Sequence, residues 1–174
     1  GSSFKPFVYA AAMMNGSSMD SIVPAAPISL GNWSPRHYGR SYAGPVPLRT
    51  ALAKSINTIP VRLAQAIGRD NSVETAHALG MHTHMDGARF GNAIAALGCH
   101  PAEVTVEAGI DMLSFGASKN GCMAAEALLI FNQPQWYATA ERLRKRSGHL
   151  LSKMRYVSAQ LLAYIENDRW LEMA

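Results

Sequence analysis

The stretch from His84 to Phe131 restricts the fold more than any other part of the chain. His84-Met85-Asp86-Gly87-Ala88-Arg89-Phe90 reads as a strand end that delivers a carboxylate into a turn. Ser114-Phe115-Gly116-Ala117-Ser118-Lys119-Asn120-Gly121 reads as a short strand followed by a small-residue loop carrying a lysine. Between them the residues predict one helix from Ala88 to Leu97, a second from Pro101 to Ala108, and a helix-ending Gly109. Strand, crossover and strand in that order predict a parallel pair. Asp86 and Lys119 would then both leave its carboxyl edge, where open α/β sheets hold their ligands.

An amine and a carboxylate at one such edge suit pyridoxal phosphate. The lysine forms a Schiff base with the aldehyde, and the aspartate keeps the pyridine nitrogen protonated so that the ring withdraws electrons. Arg89 adds positive charge beside the ring. Taken singly, each residue also has a plainer use: aspartate before glycine is commonly a turn residue, and a loop lysine is commonly solvated. The surrounding text, with Ala96-Leu97-Gly98-Cys99 and Pro101-Ala102-Glu103 between the two strings and Arg144-Lys145-Arg146 and Ser147-Gly148-His149-Leu150-Leu151-Ser152-Lys153-Met154-Arg155 after them, resembles the low-specificity L-threonine aldolases. That resemblance runs to Trp170-Leu171. It implies the aspartate aminotransferase fold type of pyridoxal-phosphate enzymes, cleavage of β-hydroxy amino acids, Lys119 as Schiff-base lysine, Asp86 as pyridinium partner and Arg89 as a cofactor-side cation.

The first half carries a different pattern. In Gly1-Ser2-Ser3-Phe4-Lys5-Pro6-Phe7 a serine and a lysine three apart share one helix face, so that the Lys5 amine can take the Ser2 hydroxyl proton. Ser55-Ile56-Asn57 offers a hydroxyl and an amide to the same pocket, although Asn57 reads equally as a turn or cap residue. Together with Trp33-Ser34-Pro35, Tyr38-Gly39, Tyr42-Ala43-Gly44-Pro45-Val46, Leu48 to Thr58 and Val61-Arg62-Leu63-Ala64-Gln65, these motifs resemble the transpeptidase domain of class A penicillin-binding proteins. The resemblance implies Ser2 as the acylated serine, Lys5 as its base, Ser55 and Asn57 as the second motif, and peptidoglycan stem peptides or β-lactams as ligands.

The expected architecture is therefore α/β overall. A mostly helical partial transpeptidase segment, residues 1–81, joins a partial parallel α/β sheet with a long C-terminal helical region, residues 82–174. The residues predict helices from Phe4 to Asn15, Leu48 to Asn57, Val61 to Ile67 and Ser72 to Leu79, a long loop from Gly16 to Pro47, and a helix from Leu143 to Ile165. Two families meet near Leu79 to His84 without a polar connector, so the chain reads as a chimera of two enzyme fragments. On this reading each is incomplete. The first lacks a Lys-Thr-Gly motif, for which Arg146-Ser147-Gly148 is the nearest string, and the second lacks a phosphate-binding segment, a ring-stacking histidine and a substrate-carboxylate arginine. Activity is expected to be impaired, and a catalytically inert helical interaction module is the third reading. Apolar faces left uncovered would favour association, including homo-oligomers.

Charge and cysteines narrow the partners. Of 16 basic and 12 acidic residues, seven basic and three acidic fall in residues 1–83, so the excess of +4 sits in the first half. No basic and aromatic interleaving argues for nucleic acid. Cys99 and Cys122 lack metal-ligand spacing and read as buried free thiols. No apolar run is long enough to cross a bilayer. The lyase reading implies a cytoplasmic protein, and the transpeptidase reading a periplasmic or cell-surface one.

Overall fold

The computed structural model describes residues 4–30, 34–35, 42–68 and 70–174. The chain divides into two compact units, Gly1–Met81 and His82–Ala174, in an α/β architecture that among the described residues comprises helices and two small sheets. Among the described residues no helix is long and apolar enough to cross a membrane.

In the first unit the alanine-rich apolar run folds as α1 (Lys5–Met14), with Pro6 in the first turn, where a missing N–H costs no helical bond. Val8, Tyr9 and Ala12 turn inward and pack with Ile59 and Leu63 of α3 (Thr58–Ile67), while α4 (Asp70–Ala78) also lies against α1. The expected loop from Gly16 to Pro47 contains a strand pair, β1 (Ile22–Ala25) with β2 (Gly44–Pro47), antiparallel. Three prolines concealed it. Pro24, Pro45 and Pro47 all fall in the alternate rows Ile22–Pro47 and Pro24–Pro45, leaving Val23–Val46 and Ala25–Gly44 as rows whose N–H groups can bond across.

The helix expected over Leu48 to Asn57 is shorter, α2 (Leu48–Ala53), and the break precedes Pro60 by several residues. Pro60 stands in the first turn of α3, where proline is tolerated. The chain turns instead at Ser55, whose φ of 49° is a left-handed conformation that side chains other than glycine rarely adopt.

Tyr9 is 1% exposed, and among the described residues its hydroxyl has no hydrogen-bond partner. Burial pushes its phenol up to about 12 from an ordinary 10.0. The folded unit therefore keeps this proton after the unfolded chain has lost it, and unfolding becomes more favourable as pH rises from about 10 towards about 12. Tyr9→Phe is expected to stabilise the first unit by about 1 kcal/mol at neutral pH and to flatten that alkaline loss. Urea midpoints for parent and variant at pH 7 and pH 11 measure both effects.

The second unit holds a three-stranded sheet in the order β3 (His84–Gly87), β4 (Met112–Gly116), β5 (Glu126–Ile130). The expected parallel pair is present, with Asp86 opposite Ser114. β5 adds an antiparallel edge strand that the sequence reading did not include. The crossover is α5 (Phe90–Leu97) followed by a single 3-10 turn, Pro101–Val104, shorter than the expected second helix. At the amino end of the pair, Asp111 is buried and its Oδ2 accepts from the Thr83 N–H at 2.8 Å, fixing the start of β3 against β4.

Beyond the sheet, the helix expected from Leu143 to Ile165 is two helices, α6 (Tyr137–Arg146) and α7 (Met154–Ile165). Gly148, at φ 74°, turns the chain between them. Leu150, Leu151 and Ile165, which share helical spacing with Val157 and Leu161, are exposed, whereas Val157 and Leu161 pack against the core. That core is aromatic: Phe90, Phe115, Tyr164 and Trp170 of the terminal α8 (Arg169–Glu172) meet with ring centroids 5.9–6.2 Å apart.

Candidate functional sites

In the first unit the turn at Ser55 brings two motifs fifty residues apart onto one amine. Lys5 Nζ donates to the Ser55 carbonyl at 2.7 Å, to Ser55 Oγ at 2.8 Å and to Asn57 Oδ1 at 2.7 Å. Asn57 occupies the N-cap of α3 yet makes no side-chain capping bond. Its amide oxygen is given to Lys5 in place of the helix end, against the usual preference of a capping asparagine. Burial lowers the Lys5 pKa, which favours the neutral amine. As an ammonium, Lys5 has a donor for each of its three partners. As an amine it has two, and of the three acceptors only the Ser55 hydroxyl can donate back to its lone pair. The cluster can therefore hold or pass a proton. Ser2, the expected nucleophile, lies outside the described residues, as do Trp33 and Tyr38 of the linker text.

In the second unit Asp86 and Lys119 follow the same edge of the parallel pair. The register sets Asp86 opposite Ser114, and alternation puts both on the face away from buried Leu113 and Phe115. Asp86 Oδ1 accepts from the Ala88 N–H at 3.0 Å, closing the turn that carries the chain into α5. Gly87 is required there, because a Cβ would lie 2.5 Å from Leu113 Cδ1 and 2.6 Å from the Ser114 carbonyl. On the same face His84 Nε2 and Ser114 Oγ are hydrogen-bonded at 2.8 Å. Lys119 sits in the turn after β4 with its side chain exposed, and Arg89 is exposed at the N-cap of α5. No hydrogen bond or ion pair among the described residues joins Asp86, Arg89 and Lys119; the parallel pair carries Asp86 and Lys119 to a common edge.

Residues around Lys119 that the sequence reading left without a role hold its loop. Asn120 is buried and donates through Nδ2 to the Tyr164 hydroxyl at 2.7 Å and to the Trp170 carbonyl at 2.8 Å. Burial pushes the Tyr164 phenol up, opposed by that hydrogen bond. Gln160 Oε1 accepts from the Met123 and Ala124 N–H groups at 3.1 and 3.2 Å. Cys99 and Cys122 are free and half-buried. Burial and the nearby Glu126 carboxylate raise the Cys122 thiol, which makes it a poor nucleophile. Among the described residues no group of His, Cys, Asp or Glu side chains could hold a metal ion.

Two family models match this chain. The penicillin binding protein transpeptidase domain matches residues 1–116, and the beta-eliminating lyase family matches residues 68–173. The chain belongs to both families. Low specificity L-threonine aldolase from Pseudomonas aeruginosa is 47% identical over 100 residues, covering 58% of this chain and 29% of that protein. Penicillin-binding protein 1A from the same organism is 34% identical over 110 residues, covering 60% of this chain and 13% of that protein. The crystal structure of penicillin-binding protein 1A from Haemophilus influenzae aligns with TM-score 0.44 and 37% identity, over 47% of this chain and 13% of that one. This chain thus spans under a third of the aldolase and about an eighth of the penicillin-binding protein. The two matches overlap between residues 68 and 116, and the boundary between the compact units falls inside that overlap.

Proposed function

We propose that the second unit is a piece of a pyridoxal-phosphate lyase acting on β-hydroxy amino acids. The observation that carries this reading is the parallel register of β3 with β4, with an amine and a carboxylate following its carboxyl edge. The donor set fits the cofactor: Lys119 is an exposed amine in a short turn, Asp86 is an exposed carboxylate oriented by the Ala88 N–H, and Arg89 is a nearby cation. When bound, pyridoxal phosphate supplies an aldehyde for an amine and a ring that stabilises a carbanion. Lys119 would hold the aldehyde carbon, Asp86 would keep a proton on the ring nitrogen, and Arg89 would offset negative charge. With both carboxyl-edge groups exposed, water is not excluded and the substrate is loosely held, so turnover would be slow. Adding pyridoxal phosphate should generate a visible absorbance in the parent that Lys119→Ala lacks. Equal spectra for the two proteins would remove the reading.

A second reading applies to the first unit, and the three hydrogen bonds of Lys5 favour it. It is a penicillin-recognising acyl-transfer site in which Ser2 is acylated, Lys5 takes the hydroxyl proton, and Ser55 and Asn57 hold the amine in place. A fluorescent penicillin should label the chain through Ser2, and Ser2→Ala should abolish that label. The two sites belong to different units, so either test stands without the other.

A further inference from the structure

We infer that Asn120 is the residue that positions Lys119, and that the C-terminal helices, through Tyr164 and Trp170, set the order of the lysine loop. The inference rests on the lyase reading and extends it to residues outside the expected set.

Lys119 and Asn120 are neighbours facing opposite ways. Lys119 is exposed and Asn120 is 5% exposed. Both N–H groups of a buried amide nitrogen need acceptors, and here each has one: the Tyr164 hydroxyl and the Trp170 carbonyl. These acceptors lie 44 and 50 residues along the chain, so two separate elements fix one side chain. With Asn120 fixed inward, the turn from Ala117 to Asn120 leaves the preceding Lys119 side chain exposed beyond the end of β4, at the carboxyl edge that Asp86 also follows. The loop backbone is tied in the same sense. The Asn120 and Cys122 N–H groups donate to the Ala117 carbonyl at 3.0 and 3.2 Å, and the Ala117 N–H returns to the Ala125 carbonyl at 3.1 Å. Gln160 of α7 secures the far side through the Met123 and Ala124 N–H groups. Gly121 holds a φ of 109°, a conformation that residues with side chains rarely adopt, so glycine suits this point of the loop.

The proposal separates two roles. If Asn120 were only a core polar group, removing it would loosen the whole unit alike. If it positions Lys119, removing it frees the loop selectively. The test compares parent, Asn120→Ala and Tyr164→Phe in the full chain by hydrogen-deuterium exchange. It also uses mass-spectrometric quantitation of the pyridoxyl group trapped on Lys119 by borohydride at a fixed cofactor concentration. Losing one buried hydrogen bond corresponds to about a tenfold change in an opening equilibrium. Asn120→Ala is therefore expected to speed exchange across residues 117–125 by about tenfold or more, while β3, β4 and α5 keep their protection, and to reduce trapping on Lys119 by about as much. Tyr164→Phe retains the Trp170 acceptor and should give a smaller change in the same direction. Unchanged exchange in 117–125 for both variants would overturn the proposal, and so would an equal increase throughout the unit. Absence of trapping on Lys119 in the parent would remove the lyase reading, and the exchange comparison would still decide whether Asn120 orders the loop.

Discussion

Lys5→Met is expected to slow covalent labelling by a penicillin by about a hundredfold to ten-thousandfold, the range of a lost general base. Methionine keeps the length of the stem and suits a helix, so α1 should persist and the loss can be assigned to the amine. The partners of Lys5 give the expected pH dependence. A base needs its lone pair, and burial shifts the amine towards the neutral form. Labelling of the parent should therefore rise with pH through the lowered lysine pKa, at lower pH than an ordinary lysine would require. Lys5→Met should lose that rise. Stopped-flow or gel-based labelling rates across pH 6 to 10, roughly the window below an ordinary lysine, measure both quantities. A variant within a few-fold of the parent, or a parent rate indifferent to pH, would show that the amine is only a structural cation tying α1 to the turn at Ser55.

The second large effect concerns the aromatic core of the second unit. Trp170 stacks on Phe90 at 6.2 Å with an interplanar angle of 3° and meets Phe115 nearly edge-on at 6.0 Å. Its carbonyl also receives Asn120. Deleting a buried tryptophan side chain typically costs about 3–5 kcal/mol, the lost transfer energy plus the cavity. That is comparable to the whole stability expected of a unit this small. Trp170→Ala should therefore leave α5, β4 and α7 without slow-exchanging amides, while α1 and α3, whose core is separate, keep theirs. Hydrogen exchange resolves the two units in one experiment. A loss under about 1 kcal/mol would mean that α8 does not close this core.

Several elements were legible because local patterns and tertiary packing agree. α1 follows from an uninterrupted apolar run, and the β3–α5–β4 order follows from short apolar strings separated by a helical one. β1 and β2 were hidden because proline ordinarily argues against a strand; only pairwise register reveals that all three prolines sit in rows where their missing N–H does no harm. Pro60, the usual breaker, predicts a break near itself, whereas the break before α3 lies at Ser55, a residue whose left-handed conformation no propensity predicts. That displacement matters for the site, because Asn57 then stands at the N-cap of α3 with its amide oxygen turned to Lys5. α6 and α7 read as one helix in the sequence because apolar residues keep helical spacing across Gly148.

The candidate residues show the same division. Spacing and short strings single out Lys5, Ser55 and Asn57, and the Lys5 amine lies within 2.8 Å of polar atoms of both other residues. Asp86 and Lys119 were also named from short strings, and the register gives them a common edge. Asn120, Gln160 and Tyr164 were not named. Each acts through a partner more than 35 residues away, a distance at which composition and periodicity carry no information. Asn120 was visible only as half of an Asn-Gly pair, which ordinarily marks a turn.

The most direct test of the lyase site is where the cofactor attaches. The parent, Asp86→Asn and Lys119→Ala would each be incubated with limiting pyridoxal phosphate, reduced with borohydride and mapped by peptide mass spectrometry. The carboxyl-edge arrangement predicts modification concentrated on Lys119 in the parent, weaker at the same residue in Asp86→Asn, and absent from that peptide in Lys119→Ala. Modification spread evenly over Lys54, Lys119, Lys145 and Lys153, unchanged by Asp86→Asn, would mean that Lys119 behaves as any solvated amine and that the shared edge holds no cofactor.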